Sequence, residues 1–129
     1  RRAVVVHGHG GLDEASLAGV NALRLVEAGS VRADQLDPET LGLQRAPIAA
    51  LAGGDLTANR SILEAVLQGR GSQPQADVVA LNAALVLWAA GRADSVAEGL
   101  DQARQALASG LAWTALERLR VALPAPAAG

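Results

Sequence analysis

The sequence predicts an α/β chain of mixed α+β layout, with a partial sheet of one strand and a hairpin packed against about four C-terminal helices. Three observations carry this reading. A β-branched apolar run, "AVVV", stands near the start and ends in a glycine loop. Two apolar segments then flank the turn "EAGS". From residue 55 onward, apolar residues recur at helical spacing between capping residues and glycines.

The bulk numbers frame that reading. A length of 129 residues fits one domain, and half of the chain is hydrophobic, so a core can form. There is no Phe, Tyr, Met or Cys, and Trp88 and Trp113 are the only aromatics. Abundant alanine predicts helices that pack closely through small faces. The lack of cysteine excludes disulfides and thiolate metal sites, and favours a reducing, cytoplasmic location. All 11 basic residues are arginine, and only Arg1 and Arg2 are adjacent. With a net charge of -2, this gives no basic tract for nucleic acid. The longest apolar run, residues 78–91, contains Asn82 and is short for a bilayer span, so no membrane is expected.

Each element follows in order. Residues 3–6 read as a short buried strand, and Asp13 then precedes a possible helical turn. Residues 20–26 and 31–36 form the hairpin arms, with Gly29 in the turn and Pro38 as the stop. "SLAGVNALRLVEAG" also has helical character, but the alternation of "VRADQLD" favours the hairpin. Residues 38–52 read as loop. In "GGDLTANRSILEAVLQG", Asp55 or Thr57 is the N-cap and Gly69 the stop. Ile62, Leu63, Val66 and Leu67 make the apolar face. "GRGSQPQ" reads as a linker. "DVVALNAALVLWAAG" is apolar on every face except at Asn82, the mark of a central, buried helix. "DSVAEGLDQARQALASG" opens on a capping box, Ser95 to Glu98, and closes on Gly110. Its apolar face is Val96, Leu100, Ala103 and Leu107. A last helix through "LAWTALERLRVAL" stops at Pro124, and residues 124–129 read as a flexible tail. One strand plus a hairpin is a poor sheet on its own. With an initial Arg in place of Met, this predicts a piece of a longer chain.

Four features are candidates for chemistry. His7 and His9 are two residues apart and share a face of an extended chain. The ligand pattern of a His-based metal site is incomplete, because Gly11 stands where an Asp is needed and there is no third histidine. The pair is expected at a strand end facing a cleft. "HGHGG" follows a strand, as phosphate loops do, but has neither the dinucleotide fingerprint nor GK[ST]; a tight turn explains it equally well. Asp13 and Glu14 are adjacent carboxylates at a loop junction. They suit either Mg²⁺, which takes one or two carboxylates and keeps water or phosphate oxygens, or plain helix capping. "GGD" at residues 53–55 reads as a lead-in turn plus cap rather than a phosphate cradle. Asn82, polar in a buried helix, must find partners; a tie to a neighbouring loop is expected.

The blocks "RRAVVVHGHGGLDEASLAG", "LDPETLGL", "LAGGDLTANRSILEAVLQG" and "DVVALNAALVLWAAGRADSVAEGLDQARQALASGLAWTALERL" together resemble the anthranilate phosphoribosyltransferase family. The resemblance runs from Arg1 to Leu119, and the order and spacing of "VHG…GLDE" and "NAA…G…S…EG…A…SG" make it specific. It implies a nucleoside phosphorylase/phosphoribosyltransferase-like C-terminal domain, with residues 1–123 as the later part of the α/β domain. The helical N-terminal domain, the upstream half of the α/β domain and the helices of the family's homodimer lie outside this stretch.

The resemblance also implies a reaction. Phosphoribosyl passes from phosphoribosyl pyrophosphate to the amine of anthranilate, in tryptophan biosynthesis. Mg²⁺ on the Asp-Glu of "LDE" neutralises the diphosphate, and the matching residues here are Asp13 and Glu14. The family's "GTGGD" loop, its "KHGNRS"-type segment and the arginine facing anthranilate have no counterpart here. The "AGGD" of this chain belongs to a later block. The chain therefore carries at most the metal-binding carboxylates and no catalytic residue, and it is expected to be inactive alone. A nucleic-acid-binding relative of the same fold is the alternative, which the dispersed arginines disfavour. A phosphorylase acting on pyrimidine nucleosides is a third reading, which "GLDE" disfavours.

Overall fold

The structure is a computed structural model and describes residues 1–124. Three strands form one antiparallel meander: β1 (Arg2–His7), β2 (Asn21–Glu27) and β3 (Ser30–Leu36), in that spatial order. Val4 pairs with Leu25 and Val6 with Leu23, so these side chains share one face. That face buries Leu23 and Leu36, with Val4, Val6 and Leu25 packed beside them. The β2–β3 turn places Ala28 and Gly29 at φ 50° and 81°. Two positive φ values give the primed-turn twist that suits right-twisted strands, so the hairpin wins over the helical alternative for residues 16–29.

Two short 3-10 turns, Pro38–Leu41 and Ile48–Leu51, interrupt the segment expected as loop. Four α-helices follow: α1 (Leu56–Leu67), α2 (Gln73–Ala89), α3 (Val96–Ala108) and α4 (Leu111–Ala122). Asp55, not Thr57, caps α1, its side chain accepting from the Ala58 N–H at 2.8 Å. Asn59 ties the preceding turn by bonding both the N–H and the carbonyl of Gly54. "GGD" is thus a lead-in turn plus cap.

The expected linker 69–75 is partly helix. Ser72 and Gln75 form a reciprocal capping box and α2 starts at Gln73. Gly and Pro suggested a linker, but Pro is at home in a first helical turn. Ser95 caps α3 through the Glu98 N–H at 3.1 Å, while the Glu98 carboxylate takes the Asp94 N–H rather than that of Ser95. Tail residues 125–129 lie outside the described residues.

The core sits between the sheet and α2–α3. Ala80, Leu81, Ala84 and Leu85 of α2 meet Leu100, Ala103 and Leu107 of α3. A Cβ on Gly99 would stand 2.8 Å from the Ala84 carbonyl, so the two helices approach closely because this pair is small. Asp77, buried on α2, reaches Arg104 of α3 at 3.0 Å and accepts from Gln73 at 2.9 Å. Arg2 fastens β1 to the end of α2. Its guanidinium lies 5.3 Å from the Trp88 ring centroid and bonds the Ala93 carbonyl and Glu27.

Two expectations of burial are corrected. Helix α2 is not buried all round: Val86 is 66% exposed and Val79 38%, because no described element covers that face. Leu63, assigned to the apolar face of α1, is 48% exposed, and only Val66 of that set is fully buried. No helix among the described residues is long and apolar enough to cross a membrane.

Candidate metal site at the strand exit

Strand β1 leaves the sheet at His7 and enters residues 8–20, a loop that returns to β2. The Gly8 N–H donates to the Leu12 carbonyl at 2.8 Å and the Gly11 N–H to the Gly8 carbonyl at 3.0 Å. Gly10 and Gly11 stand at φ 82° and 85°, which L side chains rarely adopt. The His9 N–H donates to Asn21 at 3.1 Å. Two of these N–H groups are therefore satisfied within the loop and the third by Asn21 of β2. "HGHGG" is a tight turn, and not a cradle of amides aimed at an anion.

Asp13 and Glu14 follow with both side chains exposed. No helix starts there: residues 13–20 are bends and irregular chain, so the helical turn expected after Asp13 is not formed. The capping alternative falls with it, because there are no helical N–H groups for Asp13 to accept. Among the described residues, neither carboxylate is in an ion pair or accepts a side-chain hydrogen bond.

What lies beneath the pair is buried. Ala15, Leu17 and Asn21 are fully inaccessible, and Ser16 nearly so. An irregular loop can be buried only if its backbone groups find partners. Here two asparagine amides supply them. Asn21 Oδ1 accepts from the N–H groups of His9 and Ser16, at 3.1 and 2.7 Å. Its Nδ2 lies within reach of the carbonyls of Ser16, Gly19 and Leu36, at 3.0, 3.3 and 3.1 Å. Asn82, reaching over from α2, accepts from the Ala15 N–H at 2.8 Å and donates to the Ala15 carbonyl at 2.9 Å. This is the tie to a neighbouring loop that the sequence calls for. Gly8 completes the arrangement: the Glu14 carbonyl lies 2.0 Å from where a Cβ would stand.

Sequence reasoning missed Asn21. It sits at the head of a strand, where a polar residue passes for ordinary edge chemistry. The available signal is its two-residue spacing from Leu23 and Leu25, which sets it on the apolar face of the hairpin arm.

Asp13 and Glu14 border a cleft of about 550 Å³, walled by Arg2, Val4 and Val6 from β1 and by Asn82, Leu85 and Val86 from α2. Glu14 also borders a second hollow of about 320 Å³, with Gly53, Asn59 and Gln75. His7 and His9 line neither, which corrects their expected place beside a cleft. The His9 ring instead lies against Gly19, where a Cβ would meet its Nδ1 at 2.3 Å. Among the described residues, no three His, Asp or Glu side chains gather into a metal-holding cluster. The donor set at the strand exit is two hard carboxylates, and Arg2, the cation that shares their cleft, pairs with Glu27 instead. That fits Mg²⁺, which needs only one or two carboxylates when water and phosphate oxygens complete its shell.

The fold is that of an α/β domain of a transferase family, and similarity to known proteins shows which. The chain belongs to the glycosyl transferase family, matching that family's a/b domain over residues 1–113. Within it, the similarity is to anthranilate phosphoribosyltransferases. The chain is 62% identical over 123 residues to the one from Synechococcus sp. strain RCC307, covering 95% of this chain and 36% of that relative. With the one from Prochlorococcus marinus strain MIT 9313 the identity is 60%, covering 95% and 35%. The chain thus spans about a third of the length of the curated relatives it matches.

Solved structures agree. The crystal structure of anthranilate phosphoribosyltransferase from Thermus thermophilus superposes with a TM-score of 0.79 at 45% identity, covering 91% of this chain and 34% of that one. The Saccharomyces cerevisiae enzyme in complex with PRPP and Mg gives 0.77 at 28% identity, covering 88% and 33%.

Proposed function

We propose that this chain is the metal-holding, C-terminal part of an anthranilate phosphoribosyltransferase. The complete protein would transfer phosphoribosyl from phosphoribosyl pyrophosphate to the amine of anthranilate, giving N-(5-phosphoribosyl)anthranilate and pyrophosphate in tryptophan biosynthesis. The observation that carries the reading is an exposed acidic pair with no cationic partner among the described residues, set on a buried support, in a chain so similar to enzymes of that name. A cytoplasmic location and a homodimer formed through other parts of the protein belong to the same proposal.

The roles follow from elementary chemistry. Cleavage at the ribose anomeric carbon leaves negative charge on the departing pyrophosphate. Mg²⁺ bound at Asp13 and Glu14 would supply a Lewis acid for that charge. The two carboxylates provide hard oxygen donors and leave further positions to water and diphosphate oxygens. Their exposure leaves them open to the cation, whose charge would offset their repulsion of a polyanionic substrate. The attacking amine needs placement more than activation, and placement falls to groups outside this chain. The 129 residues alone therefore would not turn over.

The test uses the complete protein. Asp13→Asn combined with Glu14→Gln keeps size and shape but removes both charges. Turnover at saturating phosphoribosyl pyrophosphate and anthranilate is expected to fall at least about a hundredfold, on the scale of losing a transition-state electrostatic partner. Circular dichroism is expected to stay unchanged. Unaltered Mg²⁺ dependence of the rate in the double variant would sink the assignment.

A further inference from the structure

Resting on the metal-site reading above, we infer that Asn82 is a positioning residue that sets the placement of Asp13 and Glu14. Neither carboxylate side chain is held by a partner of its own among the described residues, so the backbone beneath them must fix where they stand. Ala15 follows Glu14 directly and is fully buried. Asn82 grips that one residue twice, through its N–H at 2.8 Å and its carbonyl at 2.9 Å. A third bond, from Nδ2 to the Val78 carbonyl at 3.0 Å, holds the amide against its own helix.

The choice of residue points the same way. Asn82 lies between Leu81 and Ala83 in an apolar helix, where an amide is unfavourable unless fully partnered. Among the described residues, its one hydrogen-bond partner beyond α2 is the residue behind the acidic pair. It also lines the cleft that Asp13 and Glu14 border. A helix needing only to pack would accept Leu or Ala here. The loop is 67 residues distant in sequence, so the tie transmits the position of α2 to the carboxylates.

The test measures metal binding directly in the complete protein, with phosphoribosyl pyrophosphate present. Mn²⁺ serves as the probe, its free concentration read by electron paramagnetic resonance. Asn82→Ala is expected to raise the Mn²⁺ Kd about tenfold or more, the usual scale for removing a group that orients a ligand. Leu100→Ala is the structural control: it opens a cavity in the α2–α3 core, lowers the melting temperature, and is expected to leave the Kd unchanged. If Asn82→Ala proves too unstable to assay, Asn82→Gln replaces it. That variant keeps the amide one methylene further out and is expected to give a Kd between wild type and the tenfold loss.

The outcomes separate. Wild-type Mn²⁺ affinity in the Asn82 variants, or an equal loss in Leu100→Ala, overturns the positioning role. Wild-type affinity in the Asp13→Asn, Glu14→Gln double variant overturns the metal-site reading itself, and the inference with it.

Discussion

The loop at residues 8–20 and the helix α4 invert the usual association between regularity and burial. The loop has almost no regular structure, yet Ala15, Ser16 and Leu17 are among the least accessible residues of the chain. Helix α4 is twelve regular residues with none buried, and Leu111, Leu119 and Val121 are each more than half exposed. The difference lies in where backbone groups find partners. The helix satisfies its own, and so can stand on the surface. The loop cannot, and so borrows the amides of Asn21 and Asn82. What results is a fixed platform made from irregular chain, and that platform is where the acidic pair stands. Order at a site comes from satisfied hydrogen bonds and packing, whatever the secondary structure.

The most severe way to break this contrast is at Asn21. Asn21→Ala strips partners from the N–H groups of His9 and Ser16 and from three carbonyls in one step. Each buried group left alone costs about 1–3 kcal/mol, so a loss of roughly 3 kcal/mol or more is expected. Denaturant unfolding measures it. A loss below about 1 kcal/mol would mean that water replaces the amide and that the platform is not dry. Next in size is Gly8→Ala. The new methyl would meet the Glu14 carbonyl, which is backbone and cannot swing aside. Overpacking of this kind costs about 1–3 kcal/mol and is expected to displace the acidic pair as well. A melting temperature equal to that of wild type would show that the loop yields easily.

How far these features were legible in the sequence follows the same division. Elements with local rules were readable: the "EAGS" turn, a cap at Asp55 or Thr57, the apolar face of α3 and the need of Asn82 for a partner. The path of the loop was not. "DEASL" carries the composition of a helix N-terminus, and the bonds that hold its backbone in another path come from Asn21, five residues beyond Ser16, and from Asn82, 67 residues beyond Ala15. Asn21 was unreadable for a related reason, since its side-chain bonds are spread over His9, Ser16, Gly19 and Leu36, which only the folded chain brings together. Ser72 and Gln75 were hidden by the glycines and the proline around them, which spoke for a linker. The open face of α2 could not be foreseen from "DVVALNAALVLWAAG", because apolarity on every side says what a helix would bury and not which neighbours are present to bury it. At the candidate site, Asp13 and Glu14 stood out as an adjacent acidic pair suited to Mg²⁺ or to capping and the resemblance favoured Mg²⁺, while the removal of the capping alternative had to wait for the structure.

The other half of the contrast predicts a small effect. Val121→Ala and Leu119→Ala on α4 remove exposed apolar groups, and each is expected to change stability by no more than about 0.5 kcal/mol in the isolated chain. A loss above about 1 kcal/mol would show that this face is covered in solution. Running both variants in the complete protein sharpens the comparison, since any cover contributed there would turn the same substitutions costly.

The smallest effect belongs to Asp34, on the outer strand β3, and it tests local bonding without burial. The Gln35 N–H bonds its carboxylate at 2.9 Å, and the Arg32 guanidinium lies at 2.7 Å. Both favour the ionised form and hold its pKa below the ordinary carboxylate range, with the Gln35 bond the larger cause. A pKa lowered in the folded state means stability that is present above the unfolded pKa, near about 4, and lost as pH falls through the folded value. Wild type is therefore expected to exceed Asp34→Asn slightly at about pH 7, with the gap narrowing as the pH is lowered to about 3. The carboxylate is 38% exposed, so water screens most of the gain and the gap is expected to be a small fraction of that seen at Asn21. Thermal melts of both chains at the two pH values decide it. A gap that persists unchanged at the lower pH would assign the effect to shape rather than charge. Local hydrogen bonds to one exposed carboxylate would then contribute nothing that the neutral amide lacks, and the platform's advantage would rest on burial alone.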